Sequence, residues 1–374
     1  MTAPSLPAAR VTTLELFFDL VFVFTITQTT TVLADDMTLR GLARVMIMLG
    51  VILWMYGGYA WLTNATSPNT RFRRTLFLVG MGSFFAMALA VPDAFGSTGW
   101  LFGLGYFVVN AVHTGLFLLT GGQSAARALR VLGPSNLISA TLVLVGGFLP
   151  GYWRYGLWTA ALVLFIVTPY LRPIGAFTIS PAHFVERHGL VVIIALGESI
   201  VAIGVGLSGV HMDARVILVT ALGLTLAYLM WWVYFAGDDS KAEHALASTP
   251  PAERARKALA AYGWAHYFLL LGIVVVSAGI KKAAGHAVDH LTVAQALALA
   301  GGLAFYLLGE AWFRWILRIG PTRYRVGAAA IALATVPLGI FIASAQLLAL
   351  NALIVAMLYA EARRVGVTLP AGLG

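Results

Sequence analysis

Apolar residues occur along this chain in long uninterrupted runs, which are separated by short stretches rich in Arg, Gly and Pro. Most runs approach the ~20 residues that a helix needs to cross the hydrocarbon core of a bilayer. The runs stay apolar at successive positions, whereas the strands of a membrane barrel alternate. A helix also satisfies its own backbone hydrogen bonds in lipid. The pattern therefore predicts an all-α, polytopic bundle of transmembrane helices.

The number of runs predicts about twelve spans. They are Leu14–Leu33, Ala43–Leu62, Leu76–Val91, Trp100–Thr120, Val131–Leu149, Tyr155–Leu171, Val185–Leu207, Ile217–Phe235, Leu259–Ile280, Ala294–Trp315, Val326–Ser344 and Ala345–Tyr359. The boundaries at Pro150–Arg154 and Ser344–Ala345 are the least marked, which leaves counts of about ten or eleven open. The longest connection, Gly237–Lys257, is charged and contains two adjacent prolines, so we expect a solvated linker there. Pro337 and Gly339 predict a kink in the eleventh span.

Composition agrees with this class of protein. Of the 374 residues, 60% are hydrophobic and 10% are Asp, Glu, Lys or Arg, whereas a soluble domain carries about 25% charged residues. The absence of cysteine excludes disulfides, thiolate chemistry and iron–sulfur clusters. Basic loops that contact anionic lipid explain the net charge of +9. We therefore expect membrane lipid, and no nucleic acid, among the partners.

Lys and Arg are distributed unequally between the two sides of the predicted bundle. With the N-terminus in the cytoplasm, 18 of the 24 lie on cytoplasmic segments and 6 on outer ones. Cytoplasmic loops carry the excess of Lys and Arg in membrane proteins. Both termini are therefore predicted to be cytoplasmic.

The two halves of the chain share a weak internal similarity. Glu15 opens the first span and Glu186 the seventh, aromatic residues end the second and eighth, and a Gly-Leu pair lies in the fourth and tenth. This predicts two six-span repeats in the same orientation, residues 1–172 and 173–374.

Two carboxylates share one face of the first span. Thr12 and Glu15 match a capping box, which is the plainer interpretation of Glu15. Asp19 follows four residues later on the same face, among phenylalanines. Because an ionisable group in hydrocarbon is expensive, we expect this face to point inward, towards a cation, a hydrogen-bond donor or water.

Glu198 lies near the middle of the seventh span, where its short side chain cannot reach an interface. We expect Gly197 and Gly204 to allow close helix approach beside it. Glu198 is either a structural hydrogen-bonding group or a proton or cation site.

Further ionisable residues lie in later spans. Glu310 and Arg314, four residues apart, predict an ion pair inside the bundle, although Arg314 could instead reach the cytoplasmic interface. His113 and His266 are each either a hydrogen-bonded structural histidine or a group that titrates near neutral pH.

The segment from Ser180 to His188 has the residue types of a metal site but not the spacing. His183 and His188 are five residues apart, and the Glu-flanked histidine pair of zinc hydrolases is absent. We expect Glu186 to pair with a nearby arginine, and we predict no metal and no cofactor.

Several motifs resemble the bacterial low-temperature-requirement A (LtrA) family. They are ELFFDLVFVF at 15–24, ERHGL at 186–190, LGESI at 196–200, WWVYF at 231–235, and His266 after Tyr262 and Gly263. The resemblance covers nearly the whole chain, although ERHGL and the Trp264–His266 segment differ from the sequence that is commonest in the family at these positions. It implies a multi-pass protein of the bacterial cytoplasmic membrane, linked by the family name to growth in the cold, and it implies no substrate.

The buried ionisable residues favour a transporter or permeation pathway for protons, another small ion or a proton-coupled small solute. The candidate pathway residues, with Glu198 as the central relay of a shared hydrated interior, are Glu15, Asp19, His113, Glu186, Glu198, His266, Glu310 and Arg314.

Two alternatives stay open. One is a membrane-embedded enzyme acting on a lipid or isoprenoid substrate, with a carboxylate and His266 or His113 as acid and base. The other is a structural or stress-adaptation protein whose buried acids only lock the bundle. A homodimer is compatible with the sequence but is not required by it.

Overall fold

The computed structural model of the protein describes residues 11–65, 70–120, 122–171, 179–284 and 289–365; for residues 65, 120, 122–131 and 365 it describes the backbone alone. Within these ranges every regular element is helical, and no strand is present. The predicted all-α class is therefore confirmed.

The helices follow one another with short connections. The α-helices are α1 (Thr13–Asp35), α2 (Leu39–Ala65), α3 (Arg71–Ala90), α4 (Gly99–Thr120), α5 (Gly122–Phe148), α6 (Tyr152–Leu171), α7 (Pro181–Gly206), α8 (Ala214–Phe235), α9 (Asp238–Ala247), α10 (Pro251–Ala258), α11 (His266–Ala284), α12 (Val293–Leu317), α13 (Arg323–Ala334), α14 (Val336–Phe341) and α15 (Ala343–Val365). A short 3₁₀-helix (Val91–Asp93) follows α3, and a π-helical segment (Leu259–Ala265) joins α10 to α11.

The described part of the chain contains 11 helical segments that are long and apolar enough to cross a membrane. The shorter apolar helix Leu132–Phe148 lies in α5 and corresponds to the fifth predicted span. Each of the predicted spans thus falls on a helix. The prediction of a polytopic helical bundle is confirmed, whereas the internal repeat stays a prediction, because its boundary at residues 172–173 lies outside the described residues.

The helices form two compact units. The first contains the described residues of Met1–Gln28, Ile47–Val191 and Asp239–Leu259. In it α3, α4 and α5 each pack against the next helix in the sequence. The contact between α4 and α5 is close at Gly103, where a methyl group would lie 2.8 Å from the carbonyl oxygen of Val143.

Arg154 closes one end of this helix group. It is buried near the start of α6, and its guanidinium donates to four backbone carbonyls at 2.7–3.1 Å, those of Ala94, Gly96, Gly146 and Gly147. Carbonyls at helix ends and in turns lack helical partners. Arg154 therefore has a structural role in the first unit.

The second unit contains Thr29–Met46, Val192–Asp238 and the described residues of Ala260–Gly374. Its closest helix pair is α11 and α12, which meet along glycines. A methyl group on Gly302 would lie 2.5 Å from the backbone nitrogen of Val276. Such small residues let helix backbones approach closely where no hydrophobic effect drives association.

The expectation of a solvated linker at Gly237–Lys257 is wrong. Most of this segment is helical, as α9 and α10, and Ala242, Leu246 and Ala255 are buried. Pro251 does not break a helix, because it occupies the first turn of α10, where its missing N–H costs nothing.

The expectation of a kink near Pro337 is confirmed. The eleventh predicted span is divided into α13 and α14, which meet at Thr335. The hydroxyl of Thr335 donates to the carbonyl of Ala332 at 2.7 Å. A proline in the first turn of α14 explains why the helix restarts there.

Candidate functional site

In the first unit, two side chains of α1 pair with two side chains of α7. His183 Nε2 lies 3.2 Å from Glu15 Oε1, and Arg187 Nη1 lies 2.5 Å from Asp19 Oδ2. Glu15 and Asp19 are four residues apart on α1, which is about one helical turn, and His183 and Arg187 have the same spacing on α7. The two pairs occur in the same order, so α1 and α7 run side by side in the same direction here. We call Glu15, Asp19, His183, Arg187 and Tyr56 the α1–α7 network.

Glu15 has the local role that the sequence predicts. Its Oε2 accepts from the backbone nitrogen of Thr12 at 2.7 Å and from the Thr12 hydroxyl at 2.8 Å, while Glu15 N donates to Thr12 Oγ1 at 3.4 Å. These contacts form a capping box at the start of α1. The same carboxylate reaches His183 with its other oxygen, a contact that the sequence analysis missed.

Asp19 faces a cation and a donor, as its position predicts. Tyr56 on α2 donates to Asp19 Oδ1 at 2.8 Å, and Arg187 donates to Asp19 Oδ2. Arg187 Nη1 also donates to the backbone carbonyl of Glu15 at 3.0 Å. All of these side chains are buried. The network therefore places two carboxylates beside one guanidinium, away from solvent.

Arg187 has one edge that is not used. Its Nε and Nη2 atoms are buried and have no hydrogen-bond partner among the described residues. This edge is the one that binds a carboxylate or phosphate through two parallel hydrogen bonds. Buried donors without partners are rare and call for an explanation.

The second unit contains a larger group, the Arg314–Arg325 network. Its members are the buried side chains of Asp238, Glu310, Arg314, Arg325 and Glu361. Arg325 pairs with all three carboxylates, Glu310 at 2.6 Å, Asp238 at 3.1 Å and Glu361 at 3.3 Å. Arg314 pairs with Asp238 at 2.5 Å and with Glu361 at 2.9 Å.

The expectation that Glu310 pairs with Arg314 is wrong. Glu310 Oε2 accepts from Arg325 on α13, and Arg314 reaches Asp238 and Glu361 instead. The four-residue spacing of Glu310 and Arg314 permits contact on an isolated helix. In the folded protein the carboxylate of Glu310 pairs instead with the fully buried guanidinium of Arg325 from another helix. Arg314 is itself buried, with 7% of its surface exposed.

Both networks contain more carboxylates than guanidinium groups. The α1–α7 network has two carboxylates and one guanidinium beside a histidine, and the Arg314–Arg325 network has three carboxylates and two guanidiniums. Within the second, Glu310 Oε1 is buried with no hydrogen-bond partner among the described residues. Such charge in a low-dielectric interior is costly unless it is paired, so each network can be neutralised by one added proton.

His113 on α4 and His266 on α11 lie in separate hydrogen-bonded sites. His113 Nε2 donates to the carbonyl of Gly58 at 3.0 Å. His266 Nδ1 lies 2.9 Å from the carbonyl of Ala261, and its Nε2 lies 2.9 Å from the hydroxyl of Tyr234. A carbonyl can only accept, so His266 Nδ1 carries a proton and, in the neutral ring, Nε2 accepts from Tyr234. These geometries agree with hydrogen-bonded structural histidines.

Glu198 and Glu186 differ in burial. Glu198 is 3% exposed on α7, next to Ser199, whose hydroxyl lies 2.8 Å from that of Ser277.

Glu186 is exposed, and no ion pair joins it to an arginine among the described residues, contrary to expectation. The close approach expected at Gly197 and Gly204 is also wrong, because a methyl group at either would meet no described atom within 4 Å.

Several members of the two networks were not predicted from the sequence. They are His183, Arg187, Tyr56, Asp238, Arg325 and Glu361. A signal existed for two of them, since His183 and Arg187 repeat the four-residue spacing of Glu15 and Asp19. The others come from helices whose neighbours the sequence does not specify. Among the described residues, no group of three His, Asp or Glu side chains could hold a metal ion.

A bundle of membrane-length helices with buried charged networks defines a polytopic helical membrane protein. The chain belongs to the family of bacterial low temperature requirement A protein (LtrA), whose sequence model matches residues 10–360. It is also similar to a protein of Rhizobium meliloti (strain 1021) that is described as uncharacterized. The two are 29% identical over 313 residues, which cover 80% of this chain and 76% of that protein. No solved structure matches the chain.

Proposed function

We propose that the protein is a transporter that moves protons, or a small ion or solute coupled to protons, across the bacterial cytoplasmic membrane. The observation that carries the proposal is the composition of the α1–α7 network. The carboxylates of Glu15 and Asp19 lie in one buried network with a single guanidinium, that of Arg187, which pairs with Asp19 and contacts Glu15 only at its backbone carbonyl. One proton neutralises this group, and its release restores a negative charge that a transported cation or a rearranged network can balance.

The Arg314–Arg325 network supports the same proposal. Its three carboxylates face two guanidiniums, and one oxygen of Glu310 has no hydrogen-bond partner among the described residues. A network that only locked the bundle would be more stable with equal numbers of opposite charges. The surplus carboxylate therefore favours a group that binds and releases a proton.

The unused edge of Arg187 suggests a second state for the α1–α7 network. In that state Nε and Nη2 would bind a carboxylate, either one of its own or one from a substrate. We place Glu198 as the relay and both termini in the cytoplasm, in accordance with the excess of basic residues on that side.

Reconstituted vesicles test the proposal directly. Purified protein is placed in vesicles that contain a pH-sensitive dye, and proton flux is followed under a pH gradient or a voltage. We expect flux in the wild type and its loss in Asp19→Asn, Glu310→Gln and Glu198→Gln. Glu243→Gln, a change at an exposed carboxylate of α9, is the matched control and should keep wild-type flux.

The proposal is wrong if the wild type moves no protons or solutes, or if all three variants keep wild-type flux. Loss of folded protein in every variant, without any separable activity, would favour the structural alternative. Turnover of an added lipid without ion flux would favour the enzyme alternative.

A further inference from the structure

His183 has a second polar neighbour, and this neighbour determines where its proton lies. Asn64 on α2 places Nδ2 at 3.3 Å from His183 Nδ1. Because the amide nitrogen only donates, His183 Nδ1 must accept and therefore carries no proton. The proton of the neutral ring is then on Nε2, which faces Glu15 Oε1 at 3.2 Å.

The orientation of Asn64 is determined by the backbone at the start of α7. Its Oδ1 accepts from Ser180 N at 3.0 Å, and its Nδ2 donates to the carbonyl of Ser180 at 3.1 Å. Exchanging the two ends of the amide would set a donor against Ser180 N–H and an acceptor against its carbonyl. Asn64 is therefore held with its nitrogen towards His183.

The groups facing His183 are Glu15 from α1, Asn64 from α2 and, one turn along its own helix, Arg187. A proton added to His183 Nδ1 would point at an N–H group, so it would oppose a donor to a donor. A proton added to Glu15 would have an acceptor, because the Thr12 hydroxyl lies 2.8 Å from Glu15 Oε2 and can accept as well as donate.

Asp19 has a hydroxyl beside it too. One of its oxygens faces the hydroxyl of Tyr56, which can accept as well as donate. A protonated Asp19 can therefore donate to Tyr56 after the phenol rotates its own hydrogen. Each carboxylate of the network has an acceptor available when it gains a proton, whereas His183 Nδ1 faces a donor.

We propose that Asn64 is a positioning residue which keeps Nδ1 of His183 unprotonated, so that the exchangeable proton of the α1–α7 network binds a carboxylate and not the histidine. The inference rests on the proposed transport function for its role, but the assignment of the proton can be tested without transport. It makes His183 a neutral member of the network and not a proton carrier.

Nitrogen NMR of protein labelled with ¹⁵N-histidine measures the state of His183. The chain has 8 histidines, so the His183→Gln variant identifies the signal. At pH 7 we expect His183 to show one protonated and one unprotonated nitrogen. In Asn64→Asp the new carboxylate accepts from Nδ1, and we expect both nitrogens to be protonated. Asn136→Asp is the control, because Asn136 is buried and its Oδ1 already accepts from Trp54.

Infrared spectroscopy tests whether a carboxyl group of the network binds the proton. We expect part of the protonated-carboxyl absorption that grows as pH falls to be lost in Asp19→Asn or in Glu15→Gln, and to persist in Asn136→Asp.

A wild-type His183 that is doubly protonated at pH 7, or protonated on Nδ1, would overturn the inference. So would a protonated-carboxyl absorption that is unchanged in both Asp19→Asn and Glu15→Gln. Asn64→Asp with the histidine spectrum of the wild type would refute the positioning role of Asn64, and if that variant does not fold, the wild-type spectra still decide. Absence of flux in the wild type would refute the transport function, while the spectra would still test the proton assignment.

Discussion

Arg325 Nη1 lies 2.6 Å from Glu310 Oε2, and neither side chain has any exposed surface. Arg325 also donates to Glu361 and to the backbone carbonyl of Val233. It is therefore the member of its network that contacts every carboxylate. Removing Arg325 and removing Glu310 have unequal effects on the charge balance of the network. Without the arginine, three carboxylates remain with one guanidinium, whereas without the glutamate two of each remain.

We expect Arg325→Gln to destabilise the protein by about 3–5 kcal/mol, the usual cost of breaking a buried ion pair by removing one partner. Glu310→Gln should cost less, since it balances the remaining charges. The free energy of unfolding in mild detergent measures both variants. Equal losses, or a larger loss in Glu310→Gln, would contradict the charge count.

A second prediction concerns Asp19 and Arg187. We expect Arg187→Gln to be the more damaging single change, because it leaves Glu15 and Asp19 as two buried carboxylates without a guanidinium. Asp19→Asn leaves Glu15 and Arg187 with balanced charge. Thermal unfolding of both single variants and of the double variant gives the coupling between the pair, for which we expect about 0.5–3 kcal/mol. A coupling of zero would mean that the contact adds nothing to stability.

Two adjacent glycines on α12 give a matched test of helix packing. Gly302→Ala places a methyl group 2.5 Å from Val276 N, which is backbone and cannot rotate away, whereas the same change at Gly301 meets no described atom within 4 Å. We expect a loss of about 1–3 kcal/mol for Gly302→Ala, as for overpacked cores. Gly301→Ala should be nearly neutral. The melting temperatures of the two variants decide the matter, and similar values would show that α11 and α12 pack differently.

The fourth prediction concerns His266. Tyr234→Phe removes the hydroxyl that lies 2.9 Å from His266 Nε2 and leaves a buried nitrogen without that partner. We expect a loss of about 0.5–1.5 kcal/mol, the net contribution of a typical intramolecular hydrogen bond. Tyr228→Phe, a change at an exposed ring of the same helix, is the control. If Tyr234→Phe unfolds at the same temperature as this control, the hydrogen bond contributes nothing to stability.

The sequence was sufficient to predict the helices. Each predicted span falls on a helix, and the division between α13 and α14 was expected from Pro337. In lipid, length and apolarity alone decide whether a segment forms a spanning helix, because each helix satisfies its own backbone. The capping box of Glu15 could be predicted for a related reason, since it needs contacts within four residues only.

The sequence was not sufficient to predict the partners of the buried charges. Glu310 was expected to pair with Arg314, and the segment after α8 was expected to be a linker. In the structure Asp238, at the start of α9, pairs with both arginines of the network. Charge alone could not distinguish a solvated acidic residue from one that pairs with a distant guanidinium.

The chain by itself therefore determined its class and its spans, because these follow from local hydropathy and helical periodicity. The tertiary structure alone decided that Asp19 pairs with Arg187, that Arg325 joins three carboxylates and that Asn64 orients His183. Each of these contacts joins residues from different helices. Its formation depends on which helices pack together and in what register, which the periodicity of one helix does not specify.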